Sequence, residues 1–137
     1  MFEHEVGTDQ VNPDGTTTTV TSFIKSFDID LEQRQRTATG QATGPKVAGE
    51  VFLAMRRFVP DFKTLTGDAK VTIGIKDFPS STSANSTYSP FTITSSTTKE
   101  DTRARGRYAS IKIENTGSAQ SWRFGTFQID LQQDGRR

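Results

Sequence analysis

The sequence predicts an all-β protein, an antiparallel, jelly-roll-like β-sandwich of about six to seven strands with long polar loops. Three observations predict this class. Apolar and polar residues alternate in several short stretches, which is the period of a strand with one buried face. Turn residues and Ser/Thr-rich segments separate these stretches, and no convincing helical period lies between them. The apolar content of 31% is below the ~45–50% of typical globular chains, which favours a thin core with extensive loops.

The 137 residues are enough for one domain, which we divide into an N-terminal arm, residues 1–16, and a β-sandwich domain, residues 17–137. The arm has no clear periodicity and ends in the turn sequence Asn12-Pro13-Asp14-Gly15. The stretch from Thr17 to Leu31 predicts a long strand that can bend. One face of this strand carries its large apolar side chains, with Ile24 as the exception: Phe23, Phe27, Ile29 and Leu31.

Two long polar loops, residues 32–50 and 77–90, are predicted in the middle of the chain. Loops of this length are either disordered or used for functional contacts. Between them, Val51 to Val59 is apolar on both parities, which predicts a strand covered on both faces and ended by Pro60. Lys70 to Lys76 alternates regularly, and Phe91 to Ser95 predicts a further short strand.

The C-terminal part predicts a β-hairpin, with strands from Arg105 to Glu114 and from Ser121 to Gln132 around an Asn-Thr-Gly turn. The second strand starts with Trp122 and Phe124 on one parity and continues with Phe127, Ile129 and Leu131 on the other. Strict alternation cannot place both sets on one face. We therefore expect a β-bulge at Gly125 that buries all of these side chains together.

Positive charge is concentrated in the same region. Arg103, Arg105 and Arg107 share a parity with Ala109, so continuous alternation would aim them at the core, where unpaired guanidinium groups are prohibitive. Either the strand is irregular at Gly106 or it leaves the core there. The arginines then pair with carboxylates of a neighbour or are solubilising charge, and phosphate binding ranks third.

Antiparallel pairing would bring the C-terminal arginines close to this group, at one end of the domain. We expect that end to dock on carboxylates of the arm or of an adjacent subunit. The candidate subunit interface is Arg103, Arg105, Arg107, Arg123, Arg136 and Arg137.

The inventory for catalysis is small. The chain has no cysteine and one histidine, His4, which stands between Glu3 and Glu5. Disulfides, cysteine metal sites and most nucleophile–base pairs are thereby excluded. Asp28 and Asp30 share a strand face that could meet a cation or a sugar, or simply be solvated. We expect no enzymatic activity, no catalytic residues, no metal and no cofactor.

Partners of three further classes are also not expected. No apolar run approaches the ~20 residues that a membrane helix needs. The net charge of +1 is unlike that of a general nucleic-acid coat. No motif points to a small-molecule ligand.

Several short motifs resemble, in order, the C-terminal domain of tail tubular or nozzle-type virion structural proteins of short-tailed bacteriophages. The terminal Asp134-Gly135-Arg136-Arg137 is the most specific of them. The others are Phe2-Glu3-His4-Glu5-Val6-Gly7, Phe27-Asp28-Ile29-Asp30, Arg56-Arg57-Phe58-Val59-Pro60-Asp61-Phe62, Val71-Thr72-Ile73, Pro90-Phe91-Thr92-Ile93, Arg103-Ala104-Arg105-Gly106-Arg107 and Trp122-Arg123-Phe124-Gly125. The stretch 32–50 departs from that family, which has a short Gly/Asp turn there.

This resemblance implies a non-enzymatic structural subunit of a bacteriophage particle, in the tail (nozzle or tube) or at the head–tail junction. Its partners would be other virion proteins and copies of itself in a ring, and its location the virion, assembled in the host cytoplasm. The alternative is a glycan- or receptor-binding β-sandwich module on the virion surface. A sugar platform needs exposed aromatic rings, so that alternative depends on Trp122, which we expect to be mostly covered.

Overall fold

The structure is a computed structural model that describes residues 9–30, 33–36, 42–47, 51–115 and 117–136. Its described residues form eleven strands and no helix. The strands are β1 (Asp9–Val11), β2 (Thr17–Thr19), β3 (Phe23–Lys25), β4 (Gln33–Arg36), β5 (Ala42–Val47), β6 (Val51–Thr66), β7 (Ala69–Lys76), β8 (Ser86–Ile93), β9 (Glu100–Gly106), β10 (Tyr108–Asn115) and β11 (Ser121–Arg136). In this part of the chain there is accordingly no long apolar helix of the kind that crosses a bilayer.

Two antiparallel sheets form the body of the protein. One has the order β3-β10-β7-β8 and the other the order β11-β6-β9, while β1-β2 and β4-β5 are separate two-stranded pairs. Phe58 of β6 meets Phe91 of β8 edge to face, with ring centroids 5.2 Å apart, so the two sheets pack face to face. The predicted all-β antiparallel sandwich is confirmed. The prediction of six to seven strands was too low, because the short Thr- and Gln-rich strands carry no apolar alternation.

The core lies between the two sheets. It draws Leu53, Met55 and Phe58 from β6, and Val71, Ile73 and Ile75 from β7, all almost completely buried. Ile111 and Ile113 of β10 complete the same layer. Burying one such side chain contributes about 1.5–3 kcal/mol, so this layer is the main source of stability.

The strand predicted at Val51–Val59 is present as part of β6, but the reason for its double apolar parity is different. Met55 and Phe58 are both buried although they are three residues apart. The pairing with β11 shifts register here, and Arg56 is the extra residue. A bulge reverses the parity, so residues on both parities face the core in turn. Pro60 does not end the strand and lies opposite Phe127, beside the next irregularity.

The C-terminal hairpin was predicted wrongly. β10 pairs with β3 and β7, whereas β11 pairs with β6 in the other sheet. The turn after Asn115 therefore crosses from one sheet to the other, as does the two-residue connection between β6 and β7, where Gly67 has a φ of +75°. Sequence alternation shows that a strand has a buried face but not which strand it pairs with.

The first strand of that hairpin is also two strands, β9 and β10, which lie in different sheets. The crossing is at Gly106, where an added Cβ would lie 2.2 Å from Cγ2 of Ile75. Only glycine fits this approach of the two sheets. The alternative in which the strand is irregular at Gly106 is thus confirmed.

The stretch 17–31 is likewise not one long strand. Ile24 lies opposite Ile113 at the sheet edge and is 47% exposed, while Phe23 and Phe27 are 63% and 85% exposed. The Ser26 hydroxyl accepts the Ile111 N–H at 3.0 Å, and pairing with β10 resumes only at Ile29. The intervening residues loop away from the sheet edge, which carries Phe27 into solvent. Leu31 lies outside the described residues.

The predicted loops contain paired strands. β4 and β5 fall within 32–50, and β8 begins at Ser86 within 77–90. The β1–β2 pair crosses the boundary between the predicted arm and the domain. The predicted turn between them is present: Asn12 O accepts the Gly15 N–H at 2.9 Å, and Gly15 has a φ of +82°. The division into arm and domain stays a prediction.

Candidate interaction surface

The arginines of β9 lie on the outer face of the three-stranded sheet. Arg103 and Arg105 are exposed, while Thr102, Ala104 and Gly106 between and beside them are buried. The chain reverses its parity where it crosses between the sheets after Gly106. The arginines therefore point away from the core, although the sequence shows them in phase with Ala109.

Arg105 is held by two neighbours on the same face. Its Nε donates to the Asp134 carboxylate, and its Nη2 donates to the Asp134 carbonyl at 3.3 Å. Its guanidinium carbon also lies 4.7 Å from the ring centroid of Phe52, over which Arg107 lies at 5.3 Å. Because these groups are half exposed, each contact is worth only about 0.5–1 kcal/mol. The cluster orients the arginines more than it stabilises the fold.

A second pair lies further along the same face. Arg57 Nε donates to Asp101 Oδ1 at 3.0 Å, across the β6–β9 pairing. Sequence reasoning did not select Phe52, Arg57 or Asp101. The available signal was Arg56-Arg57 inside an otherwise apolar run, since two adjacent charges in a buried strand indicate a bulge.

These residues border a groove of about 900 Å³ that we call the arginine groove. It lies between β9 and β8, which are the edge strands of the two sheets. The residues that line it are Ala54, Met55, Arg56, Arg57, Tyr88, Phe91, Asp101, Thr102, Arg103, Ala104, Arg105 and Asp134.

Pairing is irregular in every strand that borders the arginine groove. Register shifts place extra residues at Arg56 in β6, within Thr102–Arg103 in β9 and within Asp134–Gly135 in β11. In β8 a shift falls between Tyr88 and Phe91. Bulges are over-represented next to functional sites because they re-aim side chains. This coincidence favours the groove over the rest of the surface as a site.

The other predicted interface residues are only partly brought together. The backbone of Arg136 pairs with Val51, at the same end of β6 as Gly106 and Arg107, so the predicted proximity of the two groups holds with β6 between them. Arg123 lies at the far end of β11, opposite Thr64, and does not join them. Arg137 lies outside the described residues. Arg105 pairs with Asp134 of the sandwich itself, while docking on carboxylates of the arm or of an adjacent subunit stays a prediction.

The acidic candidates do not form a cation site. Asp28 pairs with Lys76 at 3.0 Å. No group of three or more histidine or acidic side chains that could hold a metal ion occurs among the described residues. His4, with Glu3 and Glu5, lies outside them.

Trp122 is half-buried, so it is not the fully exposed ring that a sugar platform needs. Its ring meets Phe62 edge to face at 6.3 Å, and its Nε1 is buried without a hydrogen-bond partner among the described residues. Trp122, Phe124, Phe127 and Ile129 all lie on the same partly buried face, with the register shift between Phe124 and Phe127. The bulge predicted at Gly125 is confirmed.

No protein-family model and no curated protein sequence matched this chain.

Proposed function

We propose that this protein is a non-enzymatic structural subunit of a bacteriophage particle, in the tail nozzle or tube or at the head–tail junction. It acts through contacts between subunits, in a ring of copies. The observation that carries the proposal is the arginine groove, whose charged and aromatic groups line an open cleft between two sheet edges. Arginine and aromatic residues are the types enriched in protein–protein interfaces.

Two further features support a structural subunit rather than an enzyme. Among the described residues the edge strands β8 and β9 each pair on one side only, which leaves backbone groups that a partner could meet, and homo-oligomers most often close with point-group symmetry. The ordered motifs that resemble tail tubular and nozzle-type proteins favour a phage tail as the assembly.

Purified phage particles test the proposal directly. Mass spectrometry of particles from a phage that encodes this chain should find it at several copies per particle. A replication protein from the same infected cells serves as the control, and it should be removed by the same purification. Absence of the chain from purified particles would overturn the proposal.

The arginines can be tested within the same system. Changing Arg105→Ala and Arg107→Ala together should cost about 1–3 kcal/mol of folding stability, since the two side chains make three solvent-accessible contacts with Asp134 and Phe52. Incorporation into particles should nevertheless fall. Arg123→Ala, at the far end of β11, is the matched control and should incorporate normally. If the double variant assembles like the wild type at raised salt, these arginines are surface charge only.

A further inference from the structure

Two arginines of the arginine groove carry unpaired charge. Arg56 and Arg103 are exposed, lie in facing irregular stretches of β6 and β9, and have no ion pair or hydrogen bond among the described residues. Arg57 and Arg105 beside them are paired. Two like charges held near each other repel unless an anion meets both. Both guanidinium groups are therefore available to a carboxylate from outside.

The β8 wall of the arginine groove is aromatic. Tyr88 and Phe91 of β8 line it and pack partly against the core. A ligand that fits both walls carries acidic groups on one side and apolar groups on the other. An extended peptide with alternating acidic and apolar residues has this form.

The chain itself contains such a segment. In Phe2-Glu3-His4-Glu5-Val6, the two carboxylates share one parity and the apolar residues the other. We propose that the arginine groove of one copy binds this acidic N-terminal segment of a neighbouring copy. This inference rests on the proposed function, and it identifies the segment that one subunit contributes to the contact with the next.

The reach of the chain places the segment on a neighbour. Asp9 is fixed to the sandwich by the Ala119 N–H, which donates to its carboxylate at 2.7 Å. Ala119 lies at the Thr66 end of β6, about 30 Å along the strand from Arg56 at the usual rise per residue. Glu5 is at most about 14 Å from Asp9 even in a fully extended chain. Both carboxylates therefore cannot lie in the groove of their own molecule.

Charge reversal tests the pairing with the full chain. The groove variant carries Arg56→Glu and Arg103→Glu, and the segment variant carries Glu3→Arg and Glu5→Arg. Sedimentation velocity over a concentration series should show self-association of the wild type, weakened about tenfold or more in either variant. An equimolar mixture of the two variants should regain association, because each reversed segment then meets a reversed groove. Arg123→Glu is the control and should associate like the wild type.

Three results would overturn the inference. The wild type could stay monomeric at its highest soluble concentration, both reversal variants could associate normally, or their mixture could fail to regain association. If the groove variant associates normally but is lost from phage particles, the groove binds another virion protein, and the proposed function stands without this inference. Absence of the wild type from particles overturns the proposed function and leaves the association result intact.

Discussion

The β10–β7 pair and the pairs made by β6 differ in how regularly their residues are matched. β10 and β7 stay in register over all eight of their residue pairs, from Tyr108–Lys76 to Asn115–Ala69. β6 and β11 shift register four times, and β6 and β9 shift once. The regular pair carries the isoleucine core, while the irregular strands carry the arginine groove. The molecule thus divides regular pairing, which serves the core, from irregular pairing, which exposes the arginines, although β6 also supplies Leu53, Met55 and Phe58 to the core.

The division has a physical basis. An unbroken ladder keeps every second side chain on one face, so β10 and β7 can fill a dry layer without interruption. A bulge reverses the parity and exposes a residue that would otherwise face inward. Arg56 becomes exposed beside the buried Met55 in this way. Variants in the core and at the bulges should therefore differ in how much stability they lose.

The largest expected effect is in the regular β10–β7 pair. Ile73 of β7 is completely buried at the centre of the core. Ile73→Ala should lower the free energy of unfolding by about 2–5 kcal/mol, from lost burial and the cavity left behind. Urea denaturation of the purified chain measures this loss. Arg56→Ala, at an exposed bulge, should change stability by less than about 0.5 kcal/mol, and equal losses in both variants would refute the division.

The next effect is at the crossing between the sheets. Gly106→Ala would place a methyl group against Ile75, and overpacking of this kind costs about 1–3 kcal/mol. Gly117→Ala is the control, because its added Cβ would meet only the end of the Gln120 side chain, 3.0 Å from Nε2, and the cost is limited to shifting the hydrogen bond that Gln120 Oε1 accepts from the Gly117 N–H. Thermal unfolding of both variants should show the larger fall in Tm for Gly106→Ala. Similar melting temperatures would mean that the crossing tolerates a side chain.

Several of these features were predictable because they depend on local pattern. The parity break between Phe124 and Phe127 indicated a bulge with glycine at its centre, and the structure has it there. The regular alternation of Val71, Ile73 and Ile75 likewise indicated a core strand. In both cases the evidence lay within a few neighbouring residues, where side-chain period and burial are directly linked.

The predictions that were wrong concern which distant segments pair with each other. Nothing in the residues around Asn115 shows that the chain changes sheet there, because a turn within a sheet and a turn between sheets use the same residue types. Arg105 was predicted to meet carboxylates of the arm or of an adjacent subunit, whereas its partner in the structure is Asp134 of β11. Phe52, beneath two guanidinium groups, looked like a core residue. Contacts of this kind follow from tertiary register, which one sequence does not reveal.

A smaller effect, and a gain, is expected at the edge of the arginine groove. Thr102 of β9 is buried, and its hydroxyl has no hydrogen-bond partner among the described residues. Thr102→Val keeps the shape and removes the unsatisfied hydroxyl, so stability should stay level or rise by about 1 kcal/mol. Urea denaturation measures the change, and Thr102→Ser, which keeps the hydroxyl and loses a methyl group, is the control. A clear loss in the valine variant would mean that the hydroxyl has a partner.

The smallest effect lies outside both sheets, in the β1–β2 pair, whose register is regular but whose residues have little burial. Its turn is held by Asp14, whose carboxylate accepts the Thr16 hydroxyl at 2.6 Å and the Thr16 N–H at 2.9 Å. These hydrogen bonds, the hydroxyl first, hold the pKa of Asp14 below its usual value. A lowered pKa in the folded chain means that the turn is stabilised above the pKa of the unfolded chain. That contribution is lost as the pH falls through the folded pKa.

The pKa of Asp14 therefore shows whether side-chain hydrogen bonds stabilise the β1–β2 pair, which buries little apolar surface. NMR titration of its carboxyl carbon should show a higher pKa in Thr16→Val than in the wild type, since the valine cannot donate and only the backbone N–H remains. Thr18→Val is the matched control: its hydroxyl accepts from Asn12 Nδ2 at 2.8 Å and does not contact Asp14, so the pKa of Asp14 should not move. If Thr16→Val leaves that pKa unchanged, the hydroxyl does not hold the turn. Regular pairing would then be enough to form the β1–β2 pair without a core.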